Sequence, residues 1–517
     1  MDVYFFTDLR QNNSNRTGEN LMLNCIFPQE MKSLEAGYME ETHIPSALLM
    51  EHAAQGVLKA ICRHTVPGDE VVFLCGPGAN GGDGYASARL WAQCGGKSII
   101  LEVTSNVSGD ALLNRSLALD AGCMFSDISP LAFSHASLIV DALFGTGLSR
   151  EIDGVPRELL LMARESSLPC IAVDIPSGLH GDSGKCLGPV LHCVETVTFH
   201  RPKTGLYLSD GPEYTGTVTV HPILIPRHYG TVSGLSCMES EDLSAFLPGR
   251  SPTAHKGIFG RTLIFAGSEG MAGAAAMCAS AAVRAGSGLT TLLCPSSLLP
   301  ILQVLVPAAT CIVLPEDEAD RLHTVSNALA HADRAVIGCG LSQNEKLLPL
   351  LKLFRDAACP VIWDADALNI LSLHPELLPL PAKDIVTPHP GEAARLLHCS
   401  IGEITSDPLT ALRELHKKAG AHVLLKGACT LMTNGREEAV NTLFCPALAK
   451  GGSGDILSGI LAALIGRVQS DSPDLSTLRA MQCAAMIHTL AGRRVAQVCG
   501  DDCVTPQAVI DAIRLRP

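Results

Sequence analysis

The sequence has few aromatic residues and an acidic excess rather than a basic one. Aromatic residues make up 4% of its 517 residues, and 38 Lys and Arg face 52 Asp and Glu, which gives a net charge of −14. General binders of nucleic acid or of membrane surfaces need a basic face, so both classes are excluded. The apolar run at residues 456–465 is too short to cross a bilayer. We therefore expect neither a nucleic-acid nor a membrane partner.

Recognisable cysteine motifs and a secretion signal are also lacking. The 20 cysteines occur singly without a Cys-x-x-Cys pair, and the nearest approach to one is Cys499 and Cys503. The first residues lack the apolar segment of a secretory signal. Such scattered cysteines are typical of free thiols in a reducing compartment. The sequence therefore predicts a cytoplasmic protein.

The pattern of hydrophobic residues predicts two α/β domains. Short β-branched runs alternate with helical stretches from residue 70 onward and again from residue 261, which is typical of parallel sheets with helical crossovers. A polar stretch rich in glycine and proline, around residues 226–249, interrupts the alternation. We predict a loose N-terminal extension at 1–25 and domains at 26–228 and 236–517. The two halves share no motif order, which favours a fusion of unlike domains.

Three predicted strands of the first domain end in glycine and short polar side chains, at residues 76–84, 141–148 and 174–178. Ligands of parallel sheets bind beyond these carboxyl ends, and a glycine turn before a helix can cradle phosphate. Considered alone, the glycine segment could be a tight structural turn, and each aspartate at a strand end could be a helix cap. Asn80, Asp141, Asp174 and Ser177 together supply hard oxygen donors, which suit a monovalent cation as well as a substrate.

The second domain has a glycine-rich loop, Gly451-Gly452-Ser453-Gly454-Asp455, directly before a predicted helix. Consecutive backbone N–H groups and the helix dipole make such a loop an anion site. Asp455 stands at the same helix end and could accept a proton from a substrate hydroxyl. His389, between two prolines, and Lys426, before a glycine, follow other predicted strands. A solvated lysine or a structural histidine is the alternative for each.

Residues 31–225 resemble the NAD(P)H-hydrate epimerase domain. The likeness includes the three strand ends, the predicted helix at residues 44–51 and the segment at residues 199–206. It implies a Rossmann-like three-layer αβα fold, a catalytic Asp174, and potassium bound through Asn80, Asp141 and Ser177. One departure is Ala79, where the family usually has Asn. The implied substrate contacts are Ala79, Asn80, Gly81, Gly82, Asp83, Gly145, Thr146, Gly147, Leu148, Ser149, Arg150, Glu151 and Asp174.

Residues 240–517 resemble the ADP/ATP-dependent NAD(P)H-hydrate dehydratase, which has a ribokinase-like αβα fold. The resemblance implies Mg²⁺ and ADP, with ATP the less favoured nucleotide, and a catalytic Asp455. Cys339, in place of the usual Pro, and Lys450, before the glycines, depart from the family pattern; we expect Lys450 to be able to assist phosphate binding. The implied substrate contacts are Ala274, Gly340, His389 and Asp455, and the implied nucleotide contacts are Lys426, Gly427, Ala428, Cys429, Thr430 and Gly454.

Together the two resemblances imply repair of hydrated NADH and NADPH. The first domain would interconvert the R and S epimers at C6 of the nicotinamide ring, and the second would dehydrate the S form. Two alternatives stay open on the residues alone. One is a small-alcohol or vitamin kinase with a regulatory ligand-binding domain, and the other gives the first domain a binding or scaffolding role without catalysis. Related domains commonly self-associate, so we expect a homo-oligomer.

Overall fold

A computed structural model describes residues 22–468, 470 and 472–516, and these form two compact units. The N-terminal unit comprises Asn24–Leu235 and Thr405–Pro408. The C-terminal unit comprises residues 22–23, Ser236–Ile404 and the described residues from Leu409 onward. Residues 1–21 of the expected extension lie outside the described residues, whereas Leu23–Asn24 form a short strand, β1, and Cys25 is buried.

The N-terminal unit contains a sheet of seven parallel strands in the order β4-β3-β2-β5-β6-β7-β8. The chain adds strands toward one edge of the sheet from β2 to β4 and toward the other edge from β5 onward. The loops that follow β2 and β5 therefore flank the crevice where such sheets bind ligands. The strands are β2 (Glu70–Cys75), β3 (Lys97–Glu102), β4 (Met124–Phe125), β5 (Leu138–Ala142), β6 (Cys170–Val173), β7 (Glu195–Phe199) and β8 (Thr217–His221).

Apolar residues cover both faces of this sheet, as parallel sheets require. Along β2, Val71 and Phe73 enter one buried cluster, and Val72 and Leu74 enter another on the opposite face. The resulting three layers confirm the predicted αβα arrangement. The helices are α1 (Pro28–Thr42), α2 (Ser46–His64), α3 (Ala79–Gln93), α4 (Gly109–Asp120), α5 (Gly154–Glu165) and α6 (Gly211–Tyr214).

The C-terminal unit is built on an eleven-stranded sheet in the order β1-β9-β18-β17-β16-β15-β14-β13-β10-β11-β12. Strands β10 to β16 pair in parallel, and β16, β17 and β18 pair antiparallel. The strands are β9 (Ser236–Cys237), β10 (Arg261–Phe265), β11 (Leu289–Cys294), β12 (Thr310–Val313), β13 (Arg334–Ile337), β14 (Val361–Trp363), β15 (Ile385–Val386), β16 (His422–Leu425), β17 (Leu431–Thr433) and β18 (Glu438–Val440).

Helices cover this second sheet as well. The alanine-rich α8 and the apolar α16 pack closely, because a Cβ on Gly459 would lie only 2.2 Å from the Cys278 carbonyl oxygen. No helix of the described ranges is long and apolar enough to cross a membrane. The helices are α7 (Leu243–Phe246), α8 (Ala272–Arg284), α9 (Leu299–Leu305), α10 (Glu318–Ala330), α11 (Leu348–Arg355), α12 (Asp366–Leu373), α13 (Pro390–Leu397), α14 (Ile401–Ser406), α15 (Pro408–Ala419), α16 (Ser453–Leu464), α17 (Pro473–Cys499) and α18 (Pro506–Asp511).

Two helices begin earlier than the sequence pattern predicts. The glycine turn at residues 76–84 already contains the start of α3, at Ala79, and the loop Gly451-Gly452-Ser453-Gly454-Asp455 already contains the start of α16, at Ser453. In both cases part of the glycine-rich segment forms the first helical turn. In α3, packing of Gly81 against the Gly76 carbonyl oxygen outweighs the low helix propensity of glycine. The glycines therefore present the N-terminal ends of α3 and α16 at the carboxyl edges of their sheets.

Candidate active sites

In the N-terminal unit, the first turn of α3 lies against the loops that follow β2 and β5. A Cβ on Gly81 would lie 1.9 Å from the Gly76 carbonyl oxygen, and one on Gly145 would lie 3.2 Å from Oδ1 of Asn80. Asn80 is 8% exposed, and its Nδ2 has no hydrogen-bond partner among the described residues. The structure thus brings the predicted segments 79–83 and 145–151 together at Asn80 and Gly145.

Asp141 and Ser177 form a buried hydrogen-bonded pair at the same edge of the sheet. The Ser177 hydroxyl donates to Oδ1 of Asp141 at 2.6 Å, and the Ser177 backbone N–H donates to Oδ2 at 2.8 Å. Burial raises the pKa of Asp141, although the hydrogen bonds from Ser177 oppose this shift. No ion pair joins Asp141 to a basic side chain in the part of the chain that the structure describes. A bound cation would therefore compensate a buried charge at this position.

Asp174 follows β6 in a left-handed conformation, with a φ of 66°. Its Oδ1 accepts hydrogen bonds from Nζ of Lys203 and from the Thr198 hydroxyl, the latter at 3.0 Å. Lys203 also donates to the Phe199 carbonyl oxygen at 3.1 Å, and it is almost fully buried. The carboxylate of Asp174 is consequently fixed in direction by two donors from a single segment of chain.

Two further carboxyl groups, those of Glu35 and Asp83, line a cavity of about 160 Å³ beside the first turn of α3. Burial raises the pKa of Asp83 well above its ordinary value, and the charges of Asp174 and Glu35 act in the same direction. Burial also raises the pKa of Glu35, against the opposing charge of Lys203. The site thus combines a carboxylate paired with an ammonium group and two carboxyls that hold their protons more tightly, which is a division suited to acid/base chemistry.

Only part of the predicted substrate-binding segment at residues 145–151 packs against neighbouring residues of this site. Thr146 packs near Gly181, since a Cβ on Gly181 would lie 3.5 Å from the Thr146 Cα. By contrast, Ser149, Arg150 and Glu151 are exposed. Among the described residues, no hydrogen bond or ion pair joins these three to Asp174 or Asn80, so their predicted role in binding rests on the resemblance alone.

In the C-terminal unit, Asp364 at the end of β14 is the centre of a buried polar cluster. Its Oδ1 accepts from Nζ of Lys426 at 2.8 Å, and its Oδ2 accepts from the Ser458 hydroxyl at 2.7 Å. Burial alone would raise the pKa of Asp364, but the Lys426 ammonium and these hydrogen bonds lower it overall. Lys426 also lies 3.7 Å from Glu392, and these two negative charges outweigh burial and raise the pKa of Lys426 to about 12.

Asp455, the third residue of α16, lies beside this cluster. Oxygen atoms of Asp364 and Asp455 and Sγ of Cys339 all lie within 4.8 Å of one another. Burial and then the charge of Asp364 raise the pKa of Asp455 to about 7. A carboxyl group that titrates near neutral pH is well placed for general-base catalysis.

The predicted substrate contacts of this unit lie on different elements. Ala274 is close to Gly340, because a Cβ on Gly340 would lie 2.8 Å from the Ala274 Cβ. The His389 ring caps α13, because its Nδ1 accepts a hydrogen bond from the backbone N–H of Gly391 at 3.0 Å. The backbone N–H of His389 in turn donates to Oε2 of Glu392 at 2.8 Å. Burial and the charge of Lys426 lower the pKa of His389, so that its ring is neutral at neutral pH.

The two predicted nucleotide-binding segments converge at Lys426. A Cβ on Gly454 would lie 3.3 Å from Nζ of Lys426, which places the first turn of α16 directly against the segment after β16. Gly427 and Ala428 are exposed, whereas Cys429 is buried. An ammonium group beside a helix N-terminus is an arrangement that suits a phosphate group.

The two departures from the family pattern have different surroundings. The Lys450 ammonium donates to backbone carbonyls of Asp502 and Val504, the latter at 2.8 Å, and so links the glycine loop to the segment before α18. Its ammonium is therefore bound to two backbone carbonyls, and its assistance to phosphate binding stays a prediction from the sequence. Cys339 is fully buried, 3.8 Å from Oδ2 of Asp364.

Several residues of the two clusters were not among the predicted site residues. Lys203 lies in the segment at residues 199–206, and Glu392 lies three residues after His389. A charged residue near glycine and proline after a predicted strand was the sequence feature that could have indicated both. Glu35 on α1 carries no such signal, since a glutamate in a helix is usually a solvated surface residue. The residues that sequence reasoning missed are Glu35, Thr198, Lys203, Asp364, Glu392 and Ser458.

Each unit has a sheet of mainly parallel strands, a helix that begins in a glycine-rich segment, and buried carboxylates at the same edge. These features define an enzyme that acts on small molecules, with one candidate site in each unit. Comparison with known proteins identifies the family of enzyme. Residues 262–515 match the family model for NAD(P)H-hydrate dehydratase, and residues 46–205 match that for the YjeF-related protein N-terminus. A bifunctional NAD(P)H-hydrate repair enzyme from Moorella thermoacetica is 34% identical over 513 residues, which cover 94% of this chain and 95% of that protein. The Escherichia coli enzyme of the same name is 36% identical and covers 81% of this chain and 80% of its own.

The chain belongs to the family of bifunctional NAD(P)H-hydrate repair enzymes. The predicted family is thereby confirmed, as is an epimerase domain followed by a dehydratase domain. A structure of the ADP/ATP-dependent NAD(P)H-hydrate dehydratase from Bacillus subtilis is 26% identical, with a TM-score of 0.46; it covers 53% of this chain and 95% of that one.

Proposed function

We propose that the N-terminal unit interconverts the R and S epimers of NAD(P)H hydrate with Asp174 as the acid/base group. Its carboxylate is held by Lys203 and Thr198, so it can accept and return a proton without reorienting. Because the pKa values of Glu35 and Asp83 are raised, their carboxyl groups can donate a proton in the adjoining cavity. Predicted substrate contacts at Ala79–Asp83 and Gly145–Glu151 belong to this proposal, and Ala79, which is exposed, contributes its backbone.

We propose that the C-terminal unit dehydrates the S epimer with ADP as the phosphoryl donor. Asp455 takes the proton of the C6 hydroxyl, and that oxygen attacks the terminal phosphorus of ADP. The bond between this phosphorus and its bridging oxygen breaks and releases AMP. Phosphate then leaves C6 with its bonding electron pair as a proton leaves C5, which restores the ring double bond and NAD(P)H. Lys426 and Gly454 support the nucleotide phosphates, and Ala274, Gly340 and His389 face the hydrated ring.

The donor sets fit the two cations that the family resemblance implies. In the N-terminal unit, the oxygens of Asn80, Asp141 and Ser177 would hold potassium. The buried carboxyl of Asp141, which has no basic partner among the described residues, supports this assignment. In the C-terminal unit, carboxylates beside Lys426, those of Asp364 and Glu392, are the oxygen ligands that Mg²⁺ prefers. When bound there with a nucleotide, Mg²⁺ would offset phosphate charge.

The single observation that carries the dehydration proposal is the position of Asp455, a carboxyl group with a pKa of about 7 beside the Lys426–Gly454 anion site. Incubation of mixed R and S NADH hydrate with ADP and Mg²⁺ tests it. The wild type should convert both epimers and regenerate the near-ultraviolet absorbance of reduced nicotinamide. Asp455→Asn should abolish dehydration while retaining nucleotide binding. Turnover by Asp455→Asn within a few-fold of wild type would contradict the base assignment.

The same assay separates the dehydratase from a small-alcohol or vitamin kinase. A kinase would accumulate a stable phosphorylated alcohol and would leave the near-ultraviolet absorbance unchanged. Parallel reactions with ADP and with ATP at equal concentration decide the donor, for which we expect ADP to give the larger kcat/KM. We also propose that the protein acts in the cytoplasm and as a homo-oligomer, on the composition and the family resemblance respectively.

A further inference from the structure

We propose that Glu35 is a second catalytic residue of the epimerase, which donates a proton to ring nitrogen N1 of the hydrated cofactor while Asp174 takes the proton of the C6 hydroxyl. This role rests on the proposed function of the N-terminal unit, in which Asp174 is the acid/base group. It adds a second group that acts on a different atom of the substrate. The carboxyl of Glu35 lines the cavity beside the first turn of α3.

Glu35 lies on the apolar face of α1, where a charged side chain is unusual. Met31 and Leu34 of this helix are buried in a hydrophobic cluster, and Tyr38 and Met39 pack against the same cluster. Glu35 is one turn after Met31 and one turn before Met39, so it shares their face. It is half-buried, and among the described residues no hydrogen bond or ion pair holds its carboxyl group. Because a desolvated polar group without a partner costs free energy, this position indicates a group that faces a ligand.

Backbone pairing places the beginning of α1 beside the ion pair of Asp174 and Lys203. Ile26, two residues before the helix, forms a parallel β-bridge with Lys203, and its N–H donates to the Pro202 carbonyl oxygen at 2.8 Å. The charges of Lys203 and Asp174 therefore both act on Glu35. Burial, together with Asp174, raises the pKa of Glu35 although Lys203 opposes this shift. A carboxyl that retains its proton thus lies near a carboxylate that an ammonium group holds.

Such a pair suits opening of the hydrated ring, which needs a base and an acid at the same time. Asp174 takes the proton of the C6 hydroxyl, and the electrons of that O–H bond form the C6 carbonyl. The C6–N1 bond breaks, its electrons move to N1, and N1 takes the proton of Glu35. Rotation about the C5–C6 bond presents the other carbonyl face to N1. Ring closure returns one proton to Glu35 and the other from Asp174 to the oxygen, so the opposite epimer forms and both residues are restored.

Epimerisation by Glu35→Gln tests this role, because glutamine keeps the shape of the side chain but has no acidic proton. We expect kcat for R-to-S interconversion to fall about 10²–10⁴-fold, with a much smaller change in KM. Glu40→Gln removes an exposed carboxylate from the same helix and should match the wild type. If Glu35→Gln fails to fold, Glu35→Asp decides, since withdrawal of the carboxyl by one methylene should lower kcat at least about tenfold. Full activity of the folded variant overturns the role of Glu35.

Two further results separate this role from the function on which it rests. Single turnovers in water enriched in ¹⁸O should leave the oxygen at C6 unlabelled, because ring opening keeps the C6–O bond. Label gained at each inversion means that the hydroxyl leaves instead, which overturns N1 as the target of Glu35. A fully active Glu35→Gln beside an inactive Asp174→Asn overturns the role of Glu35 alone, whereas an Asp174→Asn variant with the wild-type rate overturns the proposed function.

Discussion

The two proposed catalytic carboxylates differ in the groups that surround them rather than in their chemistry. Asp174 is paired with the buried ammonium of Lys203 and accepts a second bond from Thr198. Asp455 has no ammonium in hydrogen-bond contact among the described residues, and burial together with Asp364 raises its pKa to about 7. One carboxyl type can thus stand in two different surroundings, one with a bound ammonium and one beside a second carboxylate.

Removal of the charge at Asp174 is expected to separate the two activities. Asp174→Asn should lower R-to-S interconversion by about 10²–10⁴-fold, the range typical of a lost acid/base group. Dehydration of pure S epimer by the same protein should stay at the wild-type rate, because Asp455 lies in the other unit. Epimer ratios followed by chromatography measure the first effect, and absorbance recovery measures the second.

A matched control for this variant is Asp127→Asn, which removes an exposed carboxylate from the same unit. Its epimerisation should match the wild type. Interconversion by Asp174→Asn at the wild-type rate would instead support the alternative in which the first domain binds or scaffolds without catalysis.

The candidate sites could be predicted in part because parallel strands end at one edge of a sheet. That rule places Asn80 near Gly145 and Gly454 near Lys426 without knowledge of the fold in detail. It says nothing about which side chains pair, so the Asp364–Lys426 and Asp174–Lys203 ion pairs were not foreseen. Glu35 was not foreseen either, since its place in the cavity depends on how α1 packs.

At the scale of elements, the glycines of α3 act by permitting close approach of backbone. A Cβ on Gly81 would meet the Gly76 carbonyl oxygen at 1.9 Å, whereas one on Gly78 would meet nothing within 4 Å. Gly78 caps the helix with a φ of −100°, which other residues adopt readily. The two glycines therefore differ in what they contribute, although the sequence pattern presents them alike.

We expect Gly81→Ala to displace the first turn of α3 and to abolish most epimerase activity. Overpacking of this kind typically costs about 1–3 kcal/mol, so the N-terminal unit should also lose stability. Gly78→Ala should keep activity within a few-fold of wild type. Epimerisation rates of the two purified variants check this contrast, and equal losses would show that the cradle does not depend on backbone approach.

Element boundaries show where pattern reading was incomplete. The β-branched runs predicted from residue 70 and from residue 261 are strands, since β2 begins at Glu70 and β10 begins at Arg261. Strands β7 and β8, by contrast, alternate threonine with valine and lack the apolar run that marks a buried strand. They were missed because tertiary pairing, of β7 with both β6 and β8 and of β8 at the sheet edge, makes them strands rather than local hydrophobicity.

At the scale of the whole molecule, each unit has its own sheet and its own buried apolar clusters. The clusters around β2 contain residues of the N-terminal unit, and the cluster around α8 and α16 contains residues of the C-terminal unit. A fusion of unlike domains was predicted from the absence of a shared motif order. The two sheets differ accordingly, since one is wholly parallel with seven strands and the other has eleven with an antiparallel end.

Separate cores predict that one activity can be lost on heating without the other. Arg334 is 3% exposed, donates to the carbonyl oxygens of Phe259 and Ile465, and donates to the Thr262 hydroxyl at 3.2 Å. Arg334→Met removes these three hydrogen bonds from a buried position, at a cost of about 3 kcal/mol. A domain of this size should then lose dehydratase activity about 6–12 °C below the wild type. Epimerase activity should survive to the wild-type temperature, and Arg436→Met, at the exposed hairpin turn, should change neither. Residual activities after a fixed heating time measure both values, and a parallel fall of the epimerase would show that the units unfold together.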